Sequence, residues 1–74
     1  MTGQTLAATG SVTAAMQAER ALLAAGIICE IVALEPHQTK RGCAFGIAFP
    51  SEHEAAARRA LRAARVFVSE YIGG

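Results

Sequence analysis

Pro36-His37-Gln38-Thr39-Lys40-Arg41-Gly42-Cys43 sets one thiol behind a glycine and two adjacent cations, at the mouth of the apolar run Cys43–Phe49. The thiolate, not the thiol, is the nucleophile and the metal ligand, and nearby positive charge lowers a cysteine pKa. No other stretch brings a reactive atom so close to its activators, so the reading of function turns on Cys43. Metal binding is one option, but His37 and Cys43 lack a third and fourth ligand, and the chain has no Cys-x-x-Cys. Neither a metal nor another cofactor is expected. His37 would tune Cys43 as base or donor, or serve as a solvated surface residue. The bland alternative for Cys43 is a thiol buried at the start of a strand, since cysteine is among the most buried residue types.

The rest of the composition narrows the setting. Seventy-four residues make one domain, near the small end of what folds alone. Hydrophobic content is 53%, but much of it is alanine, which buries little area per residue. Marginal stability or homo-oligomerisation is therefore expected. A net charge of +1 calls for no polyanion partner. No apolar run reaches the roughly 18 residues needed to span a bilayer, and the first residues lack signal-peptide character. A cytoplasmic protein with no membrane partner is the expectation.

The two cysteines suit a reducing compartment. If Ile27–Leu34 and Cys43–Phe49 pair as a hairpin, Leu34 lies near Cys43 and Cys29 near Ala48. The two thiols are then about five rungs apart, roughly 16 Å, beyond the ~7 Å between Cα atoms that a disulfide tolerates. Cys29 reads as a small core hydrophobe.

The elements that must position Cys43 follow from local signals. Gln4–Thr9 is a weak strand of small residues. Ser11 can cap a helix over Val12–Ala25, where Val12, Ala15, Met16, Leu22 and Leu23 recur at helical spacing and Gly26 ends the helix. Ile27–Leu34 is an apolar, β-branched run, and Glu35–Gly42 a polar connector. Cys43–Phe49 is a third strand, with Gly46 as a bulge or close-packing point. Ser51 and Glu54 match a capping box opening a helix to about Arg65, with Ala57, Ala60, Leu61 and Ala64 as its inner stripe. Val66–Ile72 alternates as a last strand.

This order, β-α-β-β-α-β, predicts an α+β, ferredoxin-like domain with two helices on one face of an antiparallel sheet. The topology gathers the Thr9–Ser11 turn, the first helix N-terminus, the connector and Cys43 at one end. His53 and the chain terminus fall at the other.

The chain also resembles the putative Se/S carrier protein-like family of small bacterial domains. The matching pieces are Thr9-Gly10-Ser11, Ala18-Glu19, Gly26-Ile27, Pro36 and Gly42-Cys43. Leu34 stands where a first proline is usual, His37 replaces the arginine after Pro36, and Ala44 replaces the glycine after the cysteine. The resemblance implies a carrier cysteine rather than an enzyme. Cys43 would hold sulfur or selenium as a persulfide or selenopersulfide and pass it between donor and acceptor proteins.

Such exchange needs an accessible, partly ionised thiol. A helix N-terminus contributes about 0.3–1 kcal/mol to a nearby anion, and exposed cations such as Lys40 and Arg41 up to about 1 kcal/mol each. The direction is toward appreciable thiolate at neutral pH. Gly42 would allow close backbone approach, and Thr9, Gly10 and Ser11 would donate from the facing turn.

Other features compete. A ferredoxin-like domain can instead be a non-catalytic ligand-binding or assembly module, and fold alone does not decide. Arg58, Arg62 and Arg65 share a helix face that would dock an acidic partner, or form a solvated face supported by Glu54. No aromatic platform accompanies them, so nucleic acid is not expected as a partner. Gly73-Gly74 matches the tail of ubiquitin-like carriers that hold sulfur as a terminal thiocarboxylate. That fold opens with a β-hairpin, whereas this chain offers one strand before Val12.

Overall fold

The structure is a computed structural model that describes residues 3–34 and 45–73. Strand β1 (Gln4–Ala8) leads through a tight turn into helix α1 (Val12–Ala24), followed by β2 (Glu30–Ala33) and β3 (Phe45–Pro50). A single 3-10 turn (Ser51–His53) then opens helix α2 (Glu54–Ala63), and β4 (Glu70–Ile72) closes the sheet. The strands pair antiparallel in the order β2-β3-β1-β4, with α1 and α2 packed against the sheet. This is the expected α+β, ferredoxin-like arrangement.

Side-chain alternation fixes the register. Ile47 and Phe49 point from β3 into the helix-covered core, and Ala7 of β1 and Ile31 of β2 both pair with Ile47. The hairpin therefore sets Glu30, not Cys29, opposite Ala48. That is one rung from the sequence expectation. With a side-chain period of two, a one-residue slip would turn Ile31 away from the core, so the apolar face selects the pairing. Cys29 remains a partly buried residue packed on the core, as read from the sequence.

Phe49, Leu22, Ile47 and Leu61 are the largest fully buried apolar side chains, each worth roughly 1.5–3 kcal/mol of burial. Alanines fill the gaps between them. Ala15, Ala18 and Leu22 are the buried stripe of α1, whereas Val12, Met16 and Leu23 are exposed. In α2 only Ala57 and Leu61 are fully buried; Ala60 is half-buried and Ala64 exposed. Gly46 is a close-packing point within a regular ladder. A Cβ there would lie 2.8 Å from the Ala7 carbonyl oxygen and 3.1 Å from Leu34 Cδ1.

Both helices end in the same motif. After α1, Gly26 at φ +80° lets its amide donate to Leu23, while the Ile27 amide donates to Leu22 at 2.9 Å. After α2, Arg65 at φ +60° takes the glycine's place, its amide bonding Arg62 and that of Val66 bonding Leu61 at 3.0 Å. These are paired Schellman bonds, and a left-handed non-glycine residue costs about 1–2 kcal/mol. Ile27 and Val66 are thereby spent on helix ends, so β2 and β4 begin later than the expected Ile27 and Val66. The second helix likewise stops short of Arg65.

One helix start differs from the sequence reading. Ser51 and Glu54 form no capping box: α2 has no side-chain cap, and both residues turn to Thr5 instead. The Thr5 hydroxyl, 1% exposed in β1, lies 2.8 Å from Ser51 Oγ and donates to Glu54 Oε1 at 3.3 Å. A buried hydroxyl without partners is costly, so the tertiary demand outcompetes the local cap.

Candidate functional site

The turn between β1 and α1 is built around one carbonyl. Phe45, the first residue of β3, presents its oxygen to the Thr9 amide at 3.0 Å and the Gly10 amide at 3.3 Å. The Thr9 hydroxyl lies 3.2 Å from the same oxygen and 3.2 Å from the Ser11 carbonyl, sharing its one proton. Thr9 is nearly buried, and Gly10 turns the chain at φ +83°. Ser11 is the N-cap expected from sequence: its backbone is extended and its Oγ accepts the Ala14 amide at 3.1 Å.

Thr9, Gly10 and Ser11 are thus brought together at one end of the sheet. The hydrogen bonds of the Thr9 and Gly10 amides run to Phe45, so those donors are engaged in holding the turn. The amides of Val12 and Thr13 open the helix and have no intrahelical partner, as in any first turn. They are the helix N-terminal donors that the sequence reading placed at this end. The N-cap serine was their visible signal, because a cap satisfies one amide and leaves its neighbours presented to an anion.

A second group reaches this end from β4. Ser69 donates its amide to the Ala8 carbonyl at 2.8 Å, and its hydroxyl lies 3.2 Å from that oxygen. Glu70 pairs with Ala8 on the adjacent rung. Neither stands out in the sequence, since only the sheet order brings β4 alongside β1. His37, Lys40, Arg41, Gly42 and Cys43 lie outside the described residues.

His53 sits at the opposite end, where Gln4 pairs with Pro50, and its Nε2 is 3.6 Å from the Glu52 carboxylate. The end of β4 lies on that side too, Ile72 pairing with Leu6. Among the described residues, no three histidine, cysteine or acidic side chains cluster as a metal site would require. Cys29 has the opposite character to a reactive thiol. Burial, then the Glu19 carboxylate, pushes its pKa above the ordinary 9.0. Its Sγ donates to the Glu19 carbonyl at 3.8 Å.

On α2, Glu54 accepts a two-pronged bond from Arg58, at 3.0 Å from Nε and 2.8 Å from Nη2. The guanidinium lies 4.0 Å from the centroid of the Tyr71 ring. The expected Glu54 support of Arg58 is therefore present. Arg20, Arg59, Arg62 and Arg65 are exposed and make no ion pair among the described residues. No described helix is long and apolar enough to cross a membrane.

Among the described residues, a single strand precedes α1 and a full second helix follows β3, which is not the ubiquitin-like order that a Gly-Gly thiocarboxylate carrier would need. No curated protein and no solved structure matches the chain. The family described as "Putative Se/S carrier protein-like" matches residues 4–72, nearly the whole chain. The expected resemblance and the observed β-α-β-β-α-β order agree with that match, and the chain belongs to this family.

Proposed function

We propose that the protein carries sulfur or selenium on Cys43, as a persulfide or selenopersulfide, between a donor and an acceptor protein in the reducing cytoplasm. Family membership over residues 4–72 is the observation that carries this reading. The bonds from Thr9 and Gly10 to the Phe45 carbonyl support it, because they tie the start of β3 to the turn ahead of α1. Cys43 precedes Phe45 by two residues in the sequence.

The chemistry is thiol exchange. The Cys43 thiolate attacks the outer sulfur of a donor persulfide. A new S–S bond forms as the donor's own S–S bond breaks, and the electron pair leaves on the donor thiolate. An acceptor thiolate then attacks the same outer sulfur and returns Cys43 as thiolate. Selenium takes the outer position in the selenopersulfide version. Electrons balance within the exchange, so no oxidant, reductant or cofactor enters.

Each supporting residue favours the anion. Lys40 and Arg41 supply positive charge, Gly42 lets backbone approach the sulfur, and His37 exchanges the proton. Thr9, Gly10 and Ser11 hold the turn so that the helix amides face the same end. The protein acts as a carrier between proteins rather than as an enzyme on a small substrate.

Competitive alkylation tests the reading against a simple binding module. With limiting iodoacetamide at pH 7, Cys43 is labelled well before Cys29. Equal labelling of both cysteines, or slower labelling of Cys43, contradicts an ionised carrier thiol.

A further inference from the structure

We propose that the cleft between α1 and α2 docks an acidic, amphipathic segment of a partner protein. The cleft holds about 410 Å³, with Arg20 on one wall, Arg65 on the other, and Ala24 and Ala64 among the residues between them. Both guanidinium groups are free of carboxylate partners among the described residues, as are those of Arg59 and Arg62 on α2. Among the described residues, the only ion pair on this helix is Glu54–Arg58, which leaves the two cleft arginines without a carboxylate partner there.

Arg65 carries a second argument. It occupies the position that Gly26 fills after α1, in the same hydrogen-bonding motif, and does so with a left-handed backbone that disfavours any side chain. The fold alone is better served by glycine there. What arginine adds is a guanidinium at the cleft wall.

The neighbouring surface selects the occupant. Met16 and Leu23 are 52% and 54% exposed and share a face of α1 with Arg20, at i−4 and i+3. Carboxylates spaced along a helix that also carries leucines would meet both the arginines and these apolar side chains. A nucleic acid gains little here, since the cleft has no aromatic side chain on which a base can stack. The surface contains none of the residues assigned to sulfur handling, so docking and loading can fail independently.

Fluorescence anisotropy decides the matter, using a labelled helical peptide with Glu and Leu at i,i+4 spacing. A Glu→Gln version and an oligothymidine of similar length are the comparators. The acidic peptide binds, the neutral one does not, and Arg20→Gln and Arg65→Gly each weaken binding by about fivefold. Arg65→Gly also raises Tm by roughly 4–8 °C, so lost binding cannot be lost folding. Cys43→Ser binds like wild type. Absent peptide binding, unchanged binding by Arg65→Gly, equal binding of the neutral peptide, or preference for the oligonucleotide overturns the proposal.

Discussion

The Thr9 amide donates to the Phe45 carbonyl at 3.0 Å, fastening the first residue of β3 to the turn that starts α1. This contact joins two segments far apart in sequence, and the Gly10 amide and Thr9 hydroxyl reinforce it on the same oxygen. Thr9→Val removes the hydroxyl while keeping the shape. It costs about 0.5–1.5 kcal/mol in denaturant unfolding and slows loading of Cys43 without changing labelling of Cys29.

Gly46→Ala tests how tightly the central strands are packed. The new Cβ would meet backbone oxygen at 2.8 Å, which must move because a carbonyl in the ladder cannot rotate aside. Overpacking of this kind costs about 1–3 kcal/mol. Thermal unfolding followed by circular dichroism shows a fall in Tm of at least about 4 °C.

Thr5→Val removes the hydroxyl that Ser51 and Glu54 share at the start of α2. Ser51 and Glu54 are both partly exposed and can turn to water, so the loss is limited to about 0.5–1.5 kcal/mol. Had the two residues formed a capping box, this substitution would leave the helix start untouched. Urea unfolding separates the outcomes.

Alkaline pH acts through Cys29 and Tyr71. Burial raises both pKa values, above 9.0 for Cys29 and above 10.0 for Tyr71. A raised folded pKa means the unfolded chain loses its proton first. The stabilisation is therefore complete below the unfolded value and fades as pH rises through the folded one. Urea midpoints fall from about pH 9 upward, and Cys29→Ala removes the earlier part of that fall.

Much of the fold is legible in the sequence because its helix punctuation is strong. Ser11 caps α1 and Gly26 ends it, and both act as their residue types dictate. What local signals miss is competition from tertiary partners. Thr5 draws Ser51 and Glu54 away from a cap. Val66 alternates like a strand residue but closes a helix, and Arg65 hides a helix end because it is not glycine. The hairpin register depends on which face is covered, and that is known only once the helices lie on the sheet. At the candidate site, the Thr9–Ser11 turn was readable from its composition. Ser69 and Glu70 were not, since only the pairing of β4 with β1 brings them there.

Intact-mass spectrometry after exposure to a persulfide donor addresses the carrier role most directly, comparing wild type with Cys43→Ser and Cys29→Ser. Wild type and Cys29→Ser each gain one sulfur atom that dithiothreitol removes, and Cys43→Ser gains none while keeping its circular dichroism spectrum. Equal loading of the two single variants, or loading confined to Cys29, contradicts the assignment of Cys43 as the carrier thiol.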